Sequence, residues 1–255
     1  MENLPAPQMM PRSELTLVIP WLPPVIIGVA IVLASAIGSY AFYAVRSFDN
    51  VLTVTGSAKQ HVTSDTVKWR LNVVRKVTES SMQGGYPLLA KDIDSVKTFL
   101  KSHSVADDAV TVSQVYVEEQ YKYGSDQSGP REFNLRQEIV IESKDVAAID
   151  ALSKNLSEVV AKGIFIQGNY LEFYVSNLPD LRVSLLGAAV TDAKARAVEI
   201  AKAGGKSVGG LKSASSGVVQ VLAPNSIEIT DYGSYDTQSI EKDVMVTARA
   251  TFFVR

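Results

Sequence analysis

From Val25 to Val45 the chain reads VIIGVAIVLASAIGSYAFYAV, without one charged residue. A helix of that length reaches about 32 Å, against about 30 Å for the hydrocarbon core of a bilayer. No other stretch limits the fold as strongly, because a helix apolar on every face has no side to give to water. Tyr40, Phe42 and Tyr43 toward one end and Trp21 toward the other sit where interfacial aromatic anchors belong. Gly28, Ser35 and Gly38 would let a second helix approach, although their spacing is not a clean GxxxG pattern. A buried soluble helix and a cleaved signal peptide compete with a membrane anchor. Ala34-Ser35-Ala36 would suit a signal peptidase. The apolar run is longer than a usual signal core of about 7–15 residues, and the segment before it is barely basic. The expectation is an uncleaved signal anchor over residues 25–45, spanning a bilayer once. Arg12 on one side and Arg46 and Lys59 on the other leave the positive-inside count nearly balanced, slightly against a cytoplasmic N-terminus.

Residues 1–24 form a short Pro-rich tail. Pro5, Pro7, Pro11 and Pro20, with the Pro23-Pro24 pair, argue against a packed element before Val25. After the anchor the pattern changes to that of an α+β domain over residues 50–255. Val51 to Gly56 starts a strand. Val67, Trp69, Leu71 and Val73 alternate with Lys68, Arg70 and Asn72, which predicts a sheet with one buried and one wet face. Leu89, Ile93, Val96 and Leu100 recur at helical spacing between Ser80 and Ser102. Asp107 to Tyr123 is extended, with its alternation slipping between Val112 and Val115 as at a bulge. Gly124 to Pro130 is a loop, and Phe133, Leu135, Ile139 and Ile141 alternate on the returning strand.

A helix is predicted from Asp145 to Lys162, with Val146, Ile149, Leu152, Leu156 and Val159 on one face and Gly163 at its end. Tyr170 to Val175 has strand composition. Pro179 and Asp180 then start a long helix that Gly204 and Gly205 stop. Val183, Leu186, Val190, Ala193, Ala197 and Ile200 form its expected buried face. Lys206 to Leu222 is extended, Pro224 to Ser239 is a long polar loop, and Val244, Val246, Ala248, Ala250, Phe252 and Val254 make a final strand. The predicted architecture is an antiparallel-rich sheet with about three long helices, preceded by one transmembrane helix.

Composition removes several kinds of chemistry. There are no cysteines, hence no disulfides, thiolate metal sites or cysteine nucleophiles. With 25 Lys and Arg against 27 Asp and Glu, the net charge of −2 does not suit nucleic acid. His61 and His103 lack ligand-spaced neighbours, so no metal site is expected. Glu118 and Glu119 are adjacent and point to opposite faces of a strand, and Asp92 and Asp94 do not share a helical face. Asn155-Leu156-Ser157 is a formal glycosylation sequon, but it falls inside the predicted helix.

Two strings imitate catalytic motifs. Gly205-Lys206-Ser207-Val208-Gly209 matches G-x-S-x-G, which requires a strand before the serine, a helix after it and a later histidine. Here the helix precedes the serine, and neither histidine follows it. Gly205-Lys206-Ser207 also resembles the end of a P-loop. Phosphate binding needs that loop to open a helix, where N–H groups point at the anion. This loop closes one. The expectation is therefore no catalytic residue, no cofactor and no metal. Tyrosines at Tyr116, Tyr121, Tyr123, Tyr232 and Tyr235 offer an aromatic rim for a ligand or protein partner, although sheet packing explains the first group equally well.

The segment Ala188-Ala189-Val190-Thr191-Asp192-Ala193-Lys194-Ala195-Arg196-Ala197-Val198-Glu199-Ile200-Ala201-Lys202-Ala203-Gly204, with Val208-Gly209 after it, resembles the Ala-rich helix and glycine exit of the SIMPL domain family of bacterial envelope proteins. Val198 separates Ala197 from Glu199, so that family's Ala-Glu pair is not literal here. Val54-Thr55-Gly56 followed by Ser64-Asp65 resembles the family's opening strand and Asp-containing turn, and Tyr174-Val175-Ser176-Asn177 also fits. The resemblance implies an extracytoplasmic α+β domain behind a signal or membrane anchor, with the N-terminus in the cytoplasm. It implies homo-oligomeric rings or cages, a loose link to envelope or oxidative stress, and no established catalytic residue. The expected partners are further copies of the chain, the lipid bilayer and an envelope protein of unknown identity.

Overall fold

The computed structural model describes residues 22–47, 50–121, 129–226, 230 and 232–255. The expected N-terminal tail before Leu22, Trp21, Tyr123 and most of the loop from Gly124 lie outside the described residues. The chain divides into two compact units, Met1–Val51 and Leu52–Arg255.

Nearly all of the described part of the first unit is one helix, α1 (Leu22–Ser47). It begins three residues earlier than the prolines suggested. Pro23 and Pro24 fall in its first turn, where a missing N–H costs nothing because that donor has no intrahelical acceptor. Pro24–Val45 is long and apolar enough to cross a membrane, and none of that span is buried within the chain.

The second unit holds two sheets. Their strands are β1 (Val51–Thr63), β2 (Thr66–Thr78), β3 (Val110–Val112), β4 (Tyr116–Gln120), β5 (Glu132–Ser143), β6 (Phe165–Tyr174), β7 (Val208–Leu222), β8 (Ser234–Tyr235) and β9 (Glu241–Val254). One sheet has the order β1-β9-β7-β8. The other has the order β3-β5-β2-β6, with β4 also beside β5. The β7–β8 pair is parallel, whereas β7–β9 and the pairs of the second sheet are antiparallel.

In the second sheet the alternation predicted for β2 holds: Val67, Trp69, Leu71 and Val73 are completely buried. Trp69 lies opposite Ile141 on β5 and Leu171 on β6. Against this face pack α2 (Met82–Ser102), α3 (Val146–Ser153) and α4 (Ser157–Ala161). The expected slip between Val112 and Val115 is the break between β3 and β4. Ser113 fills it by donating its N–H to the Glu138 carbonyl at 2.9 Å and accepting the Glu138 N–H on its hydroxyl at 3.0 Å.

The single helix predicted from Asp145 to Lys162 is instead two short helices. In a continuous helix the Ser153 carbonyl would accept from residue 157. Here it accepts from the Asn169 side chain at 2.9 Å, and the same amide's oxygen accepts from the Trp69 indole at 2.6 Å. The buried indole thus has its acceptor, at the expense of one helical turn.

The first sheet is covered on one face by α5 (Leu178–Ala203). Its buried residues are Leu181, Leu185, Ala189, Ala193, Ala197 and Ala201, a strict four-residue ladder. This corrects the expected face: Ala193 and Ala197 belong to it, but Val183 is 72 % and Ile200 52 % exposed. The correction comes from Gly56 on β1. A Cβ there would overlap the Ala189 carbonyl oxygen and the Ala193 backbone nitrogen. Helix and strand touch backbone to backbone, so the row facing the sheet must be small, and the larger aliphatics fall outside it. At the other end of α5, Leu181 and Leu185 fill the wider gap over Val221, Val244 and Val246. The helix ends in a Schellman arrangement. Gly205 takes φ +68, Lys206 donates its N–H to Ala201 and Gly205 donates to Lys202.

Candidate functional site

Three places concentrate polar chemistry. The first is the passage between the sheets. Ser64 and Asp65 link β1 to β2 and so carry the chain from one sheet to the other. Asp65 accepts the Ser176 N–H at 2.9 Å and the Ser176 hydroxyl at 2.6 Å. Burial pushes the Asp65 carboxyl up, but the bonds from Ser176 and then Thr66 outweigh it and hold the group below its ordinary value.

The loop before β9 closes the same passage. Phe173 donates its N–H to Thr237, Ser64 donates to Ile240, and Val175 donates to the Tyr235 hydroxyl. Lys242 holds this loop from inside. Its ammonium is wholly buried and donates to the carbonyls of Asp236 at 2.5 Å and Ser239 at 2.6 Å. Burial lowers its pKa, with the Asp236 carboxylate opposing. Among the described residues, the partners of that ammonium belong to the loop itself or to Tyr235, whose ring it faces at 5.9 Å. It is a structural cation.

The second place is the open face of the β1–β9 pair. Asp243 accepts from Lys59 at 3.0 Å and from His61 Nδ1 at 3.0 Å, while His61 Nε2 lies 3.0 Å from Glu241. The Asp243 bond leads the causes that raise His61, and the His61 bond leads those that lower Asp243. Among the described residues no group of His, Asp and Glu is arranged to hold a metal. The third place is a groove of about 540 Å³ between the end of α2 and α3. His103, Ser104, Ser143, Asp145 and Asn155 supply its polar lining.

Ser207 pairs its backbone with Arg255, closing the sheet beyond α5, so Gly205-Lys206-Ser207 is a helix exit. Asp92 is buried and takes a bidentate bond from Arg75 at 2.7 Å on each oxygen, a pairing not foreseen. His103 donates Nδ1–H to the Phe99 carbonyl at 2.9 Å. Tyr121 is 83 % and Tyr232 97 % exposed, while Tyr235 packs its ring 5.8 Å from that of Tyr174. Lys242 was overlooked, although its parity with Val244 and Val246 puts it on their face.

The segments that carried the sequence resemblance are thus in contact. Gly56 meets Ala189 and Ala193, and Asp65 meets Ser176. A family model described as "SIMPL: Protein of unknown function (DUF541)" matches residues 52–252. The chain belongs to the SIMPL family. No curated protein matches it. In this SIMPL protein the family match spans both sheets and the passage between them. It begins where the second compact unit begins and leaves α1 outside.

Proposed function

We propose that this SIMPL protein is a non-enzymatic, membrane-anchored envelope protein. In this reading α1 spans the cytoplasmic membrane once. The domain from Leu52 stands outside the cytoplasm and self-assembles into a homo-oligomeric ring or cage, with a role in envelope or oxidative stress. One observation carries the assembly. Among the described strands β7 has β9 on one side, and on the other only the two-residue β8 at Gln220 and Val221. Much of the fifteen-residue β7 is exposed; it holds three Gly and three Ser, with Lys212 its one charged residue. Proteins normally cover or charge such an edge, because it is a template for another strand. Anchoring the copies in one membrane plane raises their effective concentration, so that weak edge contacts add.

Two differently tagged full-length copies, coexpressed and extracted in mild detergent, test the proposal. Pulling on one tag retrieves the other. Retrieval no higher than from extracts mixed after lysis contradicts it.

A second reading rests on the exposure of Tyr121 and Tyr232. Aromatic side chains held in water at loop positions are the material of binding surfaces. In that reading the domain captures a ligand or another envelope protein through those loops.

A further inference from the structure

We propose that the groove between the end of α2 and α3 binds a small molecule that joins an apolar ring or branched body to a protonated amine. The site is separate from β7 and from the tyrosine loops, and it stands whether or not the chain assembles.

Its volume of about 540 Å³ falls inside the range of about 300–1,000 Å³ usual for ligand pockets. Ile149 and Leu152 are buried and form its apolar floor. Ala106, Ala109, Ala148 and Ala151 line its sides. Four side chains that stop at a methyl leave the space a larger set would fill. The result is an open groove whose apolar floor and sides reward a hydrocarbon body.

The charge at the rim selects the head group. Asp145 is the one carboxylate in the lining, which holds no Lys or Arg. Lys101 pairs with Asp107 at 3.3 Å and Lys154 with Asp150 at 2.6 Å, while Lys144, next to Asp145 in sequence, does not line the groove. Asp145 uses one oxygen to cap α3 by accepting the Ala148 N–H at 3.0 Å. That carboxylate occupies the helix N-terminus, where an anionic ligand would otherwise be favoured. The other helix at the groove, α2, presents its negative C-terminal end at His103.

His103 adds an acceptor. Its Nδ1 bonds the Phe99 carbonyl, and a carbonyl only accepts, so the proton sits on Nδ1. In the neutral ring that tautomer leaves the lone pair on Nε2. Carboxylate, helix C-terminus and imidazole lone pair all favour a cationic donor.

Alanine-methyl NMR of the full-length chain in lipid nanodiscs, titrated with benzylamine and separately with benzoate, tests this. The two probes share a ring and differ in charge. Benzylamine is expected to give saturable shifts at Ala106, Ala109, Ala148 and Ala151, with benzoate at least about tenfold weaker. Asp145→Asn keeps the capping acceptor and brings the two probes within about twofold of each other. Ala148→Leu, at an exposed helical position, fills the slot and abolishes saturation. Linear shifts spread over all alanines, equal affinity for both probes in the parent chain, or saturation that survives Ala148→Leu would each overturn the proposal.

Discussion

At the scale of single residues, His61 and Asp243 define a pH window for the β1–β9 pair. His61 is raised from 6.5, so its contribution is complete below 6.5 and is lost as the pH climbs through the raised folded value. Asp243 is lowered from 3.8, so its contribution is complete above 3.8 and is lost as the pH falls through the lowered folded value. Both contributions are therefore complete together between 3.8 and 6.5. Imidazole NMR should give His61 a midpoint above 6.5 that moves down in Asp243→Asn. A midpoint at or below 6.5 in the parent chain, or one that ignores Asp243→Asn, contradicts the pairing. Sequence showed that neither histidine had ligand-spaced neighbours. It did not show the carboxylates that engage His61, because they lie on β9 and reach it only through sheet pairing. Lys242 was legible in principle, since the alternation running through Val244 and Val246 places position 242 on the same face. A lysine at a strand start reads as solvated until the loop carbonyls that receive its ammonium are in view.

At the scale of elements, α5 and Gly56 form the contact on which the first sheet depends. Ala193 and Ala197 are completely buried against that sheet. Ala193→Leu or Ala197→Leu adds volume where helix and strand backbones already touch. Each should destabilise the domain by about 1–3 kcal/mol, as overpacking does, measured as a lower denaturant midpoint. Unchanged midpoints in both variants would show that the row is not tightly packed. The strands were legible because alternation is local: β2, β5 and β9 bury the parity their sequences specify. The buried face of α5 was only half legible. Periodicity favours the largest aliphatics, and nothing local says that a glycine on a distant strand demands alanine instead. The turn between α3 and α4 was illegible for a related reason. Its cause is the hydrogen-bond need of Trp69, which Asn169 meets by taking the Ser153 carbonyl.

At the scale of the whole molecule, an apolar helix and an α+β domain occupy one chain, and the family match falls on the domain alone. Inside that domain the motif segments serve one another. The Ala row of α5 meets Gly56, and Asp65 between the sheets meets Ser176. Segments of this kind account for the fold, which leaves surfaces for function: the edge of β7, the groove beside α3 and the apolar helix long enough to cross a bilayer. The groove was illegible from sequence because His103, Ala109, Ser143 and Ala151 converge only after α2 and α3 pack on the sheet.

The central claim is that anchored copies assemble through the domain. Native mass spectrometry of the full-length chain, released from lipid nanodiscs prepared at low copy number, measures this most directly. The account predicts a discrete protein mass at twice 27.6 kDa or a higher whole multiple of it, retained on dilution. A single species of one subunit at every concentration would contradict it.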